Sequence, residues 1–577
     1  MVENTREDLQ NPELEMQAVL DQARQLHQAG KLDAAETLCQ QILAQQPANA
    51  HALYLLATVA YQKGNLARAE TLARQMLATT PDESVFHFFL GNVLRDLGRP
   101  REAAASLRTA VRLNPKFPQA LNNLGNVLKT LGQPGQAVAC FRRAVELKPD
   151  YALAYYNLGN TFRELKRVEP AIACFRRALR IKPNYYDALN NLGNVFKDLY
   201  QLDEAVACYE RALKIKPDVP EVLNNLGGAM KDQNRLEAAA AAFKRAIDIA
   251  PDFGDAHFGY GIVLLTLGDY LRGWREYEWR WKAKDFPAQR WTFSEPLWNG
   301  EELGGRTLLL HYEQGYGDNI QLLRYVPLVC EKGGRVILEL QKPLIRLAQT
   351  LRSSAEIIPA GSRRPPFDLR CSLISLPRVF RTTIDTIPGP VPYLSPDPVL
   401  VARWRERLAN GDGLKVGLVW AGNPKQATET KRGIGLAAYR PLFSLKGIRW
   451  FSLQVGPRAG DVSRLPAGLI EDLSGDLTDF AETAAAVANL DLVITTDTAV
   501  GHLAGAIGHP IWIMLRWAPD WRWGLAGSDN PWYPTARLFR QPQRDRWQEP
   551  VEQVRAALTE LAAGGAAGRL TKNHYYP

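Results

Sequence analysis

Apolar and small residues recur with helical spacing along the first half of the chain, and a longer regularity overlies them. Pro47, Pro81, Pro115, Pro149, Pro183, Pro217 and Pro251 fall 34 residues apart. Gly91, Gly125, Gly159, Gly193, Gly227 and Gly261 keep the same period, as do Ala35, Ala69, Ala103, Ala137, Ala171, Ala205 and Ala239. A period of this length with two helical stretches per unit predicts a solenoid of helix pairs. Each proline ends a pair because it cannot continue a helix. The glycine lets the first helix lie close to the second. The alanine and the aromatic four residues on (Phe141, Phe175, Tyr209, Phe243) pack the second helix into its neighbour. Seven units are predicted over 16–253, after a polar tail at 1–15. An eighth, degenerate unit in 254–300 keeps Gly261 but loses the alanines and the closing proline. Trp274, Tyr277 and Trp281 share one helical face there, which predicts a cap that docks the solenoid onto the next domain.

From about residue 300 the pattern changes to short apolar runs alternating with helices, the mark of an α/β fold with parallel strands. "RTLLLHY" and "RVILEL" read as strands of a first half, 301–393, with the glycine-rich turn "EQGYGD" and the helix "NIQLLRYVPLVCEKG" between them. "IPGPVPYLSPDP" separates this half from a second, 394–577, with strands "KVGLVWAG", "IRWFSLQ", "LDLVITT" and "PIWIML".

Composition narrows the class without naming it. The 577 residues are 46% hydrophobic and 23% charged, with a net charge of +9, far from the basic stripe of a nucleic-acid binder. Six cysteines form no close-spaced pair, and three of them (Cys140, Cys174, Cys208) share one repeat position, which points to buried thiols in a reducing compartment. The acidic, polar N-terminus does not read as a signal peptide, and no apolar run is long enough to span a membrane. The expectation is a soluble cytoplasmic protein.

Two sets of residues carry candidate chemistry. On the first helices of the repeats, Asn123, Asn157, Asn191 and Asn225 occupy one position, and Asn92, Asn126, Asn160 and Asn194 occupy another, three residues after the first within a repeat. They form one stripe with a basic residue (Arg95, Lys129, Arg163, Lys197, Lys231) three beyond. A carboxamide offers both donors and an acceptor, so such a ladder can hold an extended polypeptide regardless of its sequence. The same recurrence arises if the repeats are recent duplicates. In the second half, "DTAVGHLAGAIGHP" places Asp497 and Thr498 between a strand and a helix whose free N–H groups form an anion site. Thr498 offers a hydroxyl and His502 a ring N–H one turn later.

The asparagine stripe resembles the ladder of the nucleocytoplasmic protein O-GlcNAc transferases. "DTAVGH" resembles the donor-diphosphate motif of the ADP-heptose lipopolysaccharide heptosyltransferases. Over 16–545 the chain resembles bacterial proteins that fuse tetratricopeptide repeats to a transferase of that kind, some of which modify flagellin, and the tail "APDWRWGLAGSDNPWYPTARLFRQ" is similar to that family's ending. The resemblance implies an α-solenoid of tetratricopeptide repeats followed by an α/β GT-B domain of two Rossmann-like halves. It implies an inverting, metal-independent protein O-glycosyltransferase that moves a sugar from a nucleotide sugar, its substrate rather than a cofactor, to Ser or Thr of a polypeptide on the concave repeat face. Asn123, Asn126, Asn157, Asn160, Asn191, Asn194 and Asn225 would hold the acceptor. Asp318, closing the Gly317–Asp318 pair, would be the general base, although the same carboxylate suits the N-cap of "NIQLLRYV". Gly422, Asn423, Arg432, Gln454, Asp497, Thr498 and His502 would bind the donor, with Val455 standing where the family often shows lysine. No metal-ligand motif is apparent. A repeat adaptor with a non-catalytic transferase-like domain, and a heptosyltransferase-like enzyme acting on a glycan, remain alternatives.

Overall fold

A computed structural model describes residues 12–284, 286, 293–422 and 434–564. The chain divides after Pro217 into two compact units. The first contains six packed helix pairs, from Pro12–Gln28 with Leu32–Gln45 to Tyr186–Asp198 with Leu202–Ile215. The periodic residues explain the pairing. Ala35, Ala69, Ala103, Ala137, Ala171 and Ala205 are all fully buried. A methyl on Gly125 would sit 2.6 Å from Phe141 Cε1, and one on Gly193 2.6 Å from Tyr209 Cε1, so only glycine admits the ring of the second helix. The turn inside each pair needs one left-handed residue. Gly30, Gly64, Gly98 and Gly132 supply it, then Lys166 and Tyr200 take the same position with φ of 56° and 60°.

The second unit begins two helix pairs before the α/β boundary read from the sequence. Its first pairs are Pro220–Asp232 with Leu236–Ile249 and Gly254–Thr266 with Tyr270–Tyr277. The cap aromatics are the reason the last pair belongs here. Trp274 and Tyr277 are buried in the same core as the first sheet, and Trp274 Nε1 donates to the Thr382 carbonyl at 2.9 Å. Arg280, just beyond, is fully buried; it meets both carboxylate oxygens of Glu313 at 2.6 and 2.9 Å and Glu278 at 2.7 Å.

Two parallel sheets come next in the chain. The first comprises β1 (Thr307–His311), β2 (Arg335–Leu340), β3 (Glu356–Pro359) and β4 (Leu369–Ser372) in the order β3-β2-β1-β4. The second comprises β5 (Leu414–Val419), β6 (Ile448–Ser452), β7 (Glu471–Asp472), β8 (Leu492–Thr496), β9 (Ile511–Leu515) and β10 (Ala536–Arg540) in the order β10-β9-β8-β5-β6-β7. The protein is thus an α-solenoid followed by an α/β region. The helix expected over "NIQLLRYVPLVCEKG" is broken: Tyr316–Leu322 gives way to a 3-10 turn, Leu323–Tyr325, and Val326–Cys330 resumes with Pro327 in its first turn. In both sheets the order reverses beside the first strand, β1 or β5. Ligands of open α/β sheets bind outside the carboxyl ends of strands at such a reversal.

Candidate functional site

The residues after β1 and after β8 meet at those reversals. The helix Tyr316–Leu322 starts behind Gly315, so Asp318 is its third residue and not its N-cap. Its carboxylate turns back to accept the Gly315 N–H at 3.0 Å, as a capping-box acid does. The helix Ala499–Ala506 starts behind Thr498, whose hydroxyl pairs with that of Thr495 at 2.8 Å and makes no cap bond. Gly317 joins the two. A methyl on it would sit 2.6 Å from His502 Cδ2 and 3.4 Å from Ala499 Cα, so the glycine lets the two helix N-termini touch.

His502 is buried, with Nδ1 2.9 Å from the Tyr533 hydroxyl and Nε2 3.8 Å from Asp497. Burial pushes its pKa down to about 4, against the opposing pull of Asp497, so at neutral pH the ring is uncharged and the Asp497 contact is not an ion pair. Burial raises the Tyr533 pKa well above its usual value, which keeps the phenol protonated. Gly505 makes room for the Tyr533 ring.

Arg522 is the group that sequence reading misses. Its guanidinium donates to Asp318 Oδ1 at 2.5 Å, to Asp520 Oδ1 at 2.7 Å and to Gln321 Oε1 at 2.7 Å, and it lies 4.3 Å from the Trp521 ring centre. Burial works against its charge, but Asp520 and Asp318 more than offset that and its pKa is raised. Asn530 fixes the segment by accepting the Trp532 and Tyr533 N–H groups and donating to the Arg522 carbonyl. A signal is present in "PDWRWG": an arginine between two tryptophans is poised for burial, and a buried arginine needs carboxylates.

The remaining candidates separate. Gly422 lies at the end of β5 and Asp497 and Thr498 at the end of the adjacent β8. Gln454 is buried and spent on backbone: Oε1 accepts from Trp420 N and Ala421 N, and Nε2 donates to the Val455 carbonyl. It braces the end of β5, a role different from the ligand contact expected of it. Asn423 and Arg432 lie outside the described residues. Among the described residues no group of three or more His, Cys, Asp or Glu is placed to hold a metal ion.

The asparagine stripe is partly bonded to itself. Asn123 Nδ2 donates to Asn92 Oδ1 at 2.7 Å, and Asn191 Nδ2 to Asn160 Oδ1 at 2.8 Å. Asn157 reaches Asn122 instead, and Asn194 accepts from Tyr209. Asn126 carries no side-chain hydrogen bond among the described residues, whereas Asn225 has a partner. The stripe therefore ties successive first helices together at Asn92–Asn123 and Asn160–Asn191 and leaves the Asn126 carboxamide open.

Residues 26–88, 91–132, 117–184 and 184–252 match tetratricopeptide repeat families. The solenoid is a tetratricopeptide-repeat array. Among curated proteins the chain is 29% identical over 335 residues to Protein FlbA of Caulobacter vibrioides, covering 53% of this chain and 55% of that one. The match thus spans about half of each. Among solved structures, MamA is 25% identical, with 29% of this chain and 92% of that chain covered at a TM-score of 0.28. YrrB, described as a tetratricopeptide protein with an unusual peptide-binding site, is 21% identical, with 32% and 95% covered at a TM-score of 0.29. No helix among the described residues is long and apolar enough to cross a membrane.

Proposed function

We propose that this protein is a protein O-glycosyltransferase: the repeats hold a polypeptide, for example an export-bound one such as flagellin, and the α/β region transfers a sugar to its Ser or Thr. The observation that carries the reading is the contact of Gly317 with His502 and Ala499, which brings the helix that bears Asp318 against the N-terminus of helix Ala499–Ala506. In the proposed reaction Asp318 takes the proton of the acceptor hydroxyl while its oxygen bonds to the anomeric carbon. The bond from that carbon to the phosphate oxygen breaks on the opposite face, with inversion. The nucleotide leaves through its phosphate against the helix N-terminus, the Thr498 hydroxyl and the neutral His502 ring. Arg522 holds Asp318 in place.

One observation favours the adaptor reading: both Asp318 oxygens already have partners, Gly315 N–H and Arg522. Thermal unfolding with UDP, GDP, ADP and CMP, followed by transfer assays with sugars of whichever nucleotide binds, separates the two. A nucleotide at about a hundredfold its Kd should stabilise the fold by about 2.7 kcal/mol. Asp318→Asn should retain that shift and lose transfer. Undiminished transfer in the variant removes Asp318 from the chemistry, and no response to any nucleotide removes the transferase reading.

A further inference from the structure

A second site lies away from the Asp318 cleft, where the capping helix Tyr270–Tyr277 meets the short helix Leu376–Val379. A cavity of about 250 Å³ opens there, lined by Trp274, Arg275, Asn299, Arg378 and Arg381 among others. Three of its seven lining residues are arginines, Arg275 and Arg381 exposed to solvent, and none is acidic. The side chains of Arg275 and Arg381 have no hydrogen-bond or ion-pair partner among the described residues. Arg378 is steered by Asn299, whose Oδ1 accepts from Nη2 at 3.0 Å, while its Nε is buried without a hydrogen bond, 3.7 Å from Glu278. Glu278 is already committed to the fully buried Arg280 at 2.7 Å. The lining therefore carries more positive charge than its neighbours neutralise.

The backbone around the cavity is tied into the core. Trp274, its floor, is 2% exposed and donates through Nε1 to the carbonyl of Thr382. Thr382 is itself buried and bonds the Tyr325 hydroxyl at 2.7 Å. Arg381, one residue earlier, is held at φ 51°, a left-handed conformation unusual for arginine that sets the direction of its side chain. Gly300 brings the Asn299 turn close, since a methyl there would meet Val379 Cγ1 at 3.0 Å.

We propose that this cavity binds a phosphate-type dianion, with the forked guanidinium groups of Arg275 and Arg381 as its principal donors and Arg378 behind them. Guanidinium matches phosphate oxygens two at a time, and a doubly charged ligand answers the excess of cations better than a single carboxylate. The volume exceeds that of a bare phosphate and leaves room for an organic group esterified to it.

The test is calorimetric titration of the full chain in chloride buffer at matched ionic strength, with inorganic phosphate and with O-phosphoserine. Saturable binding is expected. In the double variant Arg275→Ala/Arg381→Ala it should weaken about tenfold or more, the loss of two charged hydrogen-bonding groups. The variant's unfolding temperature without phosphate should not fall, because no partner is left buried. Arg381→Lys, which keeps the charge and loses the fork, should weaken binding by a smaller factor. Tighter binding of O-phosphoserine would identify an esterified ligand and equal binding a free phosphate, and either supports the site. Failure of both to saturate, or equal affinity in the double variant, overturns it.

Discussion

The repeat array and the α/β region use one packing device to opposite ends. In both, a glycine removes a methyl that would collide with a ring at 2.6 Å: Gly125 against Phe141 in the repeats, Gly317 against His502 beyond them. In the array the device is copied from unit to unit and the space it makes is apolar. At Gly317 the neighbour in the chain is instead Asp318, a charge held by Arg522, which also holds Asp520. Polar groups show the same division. The array ties its helices with half-buried carboxamides that exchange one bond at a time, whereas the α/β region buries whole charges and must pair them. A periodic surface tolerates the loss of any one member, and a singular site does not.

The largest effect should come from breaking a singular pair. Arg280 and Glu313 are both fully buried, with Ser372 and Ser375 closing the network. Arg280→Met leaves Glu313 as an uncompensated buried charge and should cost about 3–5 kcal/mol. Urea unfolding should show the loss in the transition of the α/β region. A cost below about 1 kcal/mol would mean that the network is no more than the kind of pairing seen on surfaces.

Next in size is a pH effect from two buried histidines of the α/β region. Burial lowers the pKa of His502 to about 4 and of His311 to about 3, both below the unfolded value of about 6.5. Between the folded and unfolded values the unfolded chain binds a proton that the folded chain does not. The stability from each neutral ring is therefore complete above about pH 6.5 and is lost as pH falls toward 4, by up to about 1.4 kcal/mol per pH unit per ring. His502→Gln should flatten the stability profile between about pH 6.5 and 4 by about one proton relative to the unaltered chain. An unchanged slope would mean that the ring is charged in the fold.

Smaller still are the two glycines themselves. Gly125→Ala and Gly317→Ala should each cost about 1–3 kcal/mol by overpacking against a buried ring, reduced for Gly125 by about 1 kcal/mol of helix propensity. The comparison sharpens in a second readout. Only Gly317→Ala should alter the response to the nucleotide that binds, because only it separates two helix N-termini. Equal nucleotide responses would reduce Gly317 to a packing residue.

Legibility in the sequence divides the two regions in the same way. The repeats are legible because one unit's uncertainty is settled by its copies: the residue between the paired helices is glycine four times, and the register alone tells that Lys166 and Tyr200 must adopt the same left-handed turn. The six strands read from apolar runs are the interior ones, where both faces are buried. β3, β7 and β10 are sheet edges, short or interrupted by charge, and β4, "LRCS", is an edge with an arginine inside it. At the site, Asp318 and His502 stand out because they sit where strands hand over to helices. Arg522 does not, because its function arises from residues two hundred positions away that no local pattern connects. Gln454 misleads for a related reason: a strand-end amide can face a ligand or its own backbone, and spacing does not distinguish them.

The smallest effect tests the array's own polar surface. Asn123 donates to Asn92 at 2.7 Å and accepts from Asn122 at 3.1 Å, while the Asn126 carboxamide, three residues on, has no bond among the described residues. Asn123→Ala should cost about 1 kcal/mol, the net worth of an ordinary hydrogen bond, and Asn126→Ala should stay within about 0.5 kcal/mol of the unaltered array. Binding of an extended polypeptide should divide the other way if the Asn126 carboxamide is what meets the chain: Asn126→Ala weakens it, and Asn123→Ala does so no more than its loss of stability explains. Equal and small effects on both readouts would mean that the stripe acts only between repeats, and that the acceptor is held by the basic residues three positions further on.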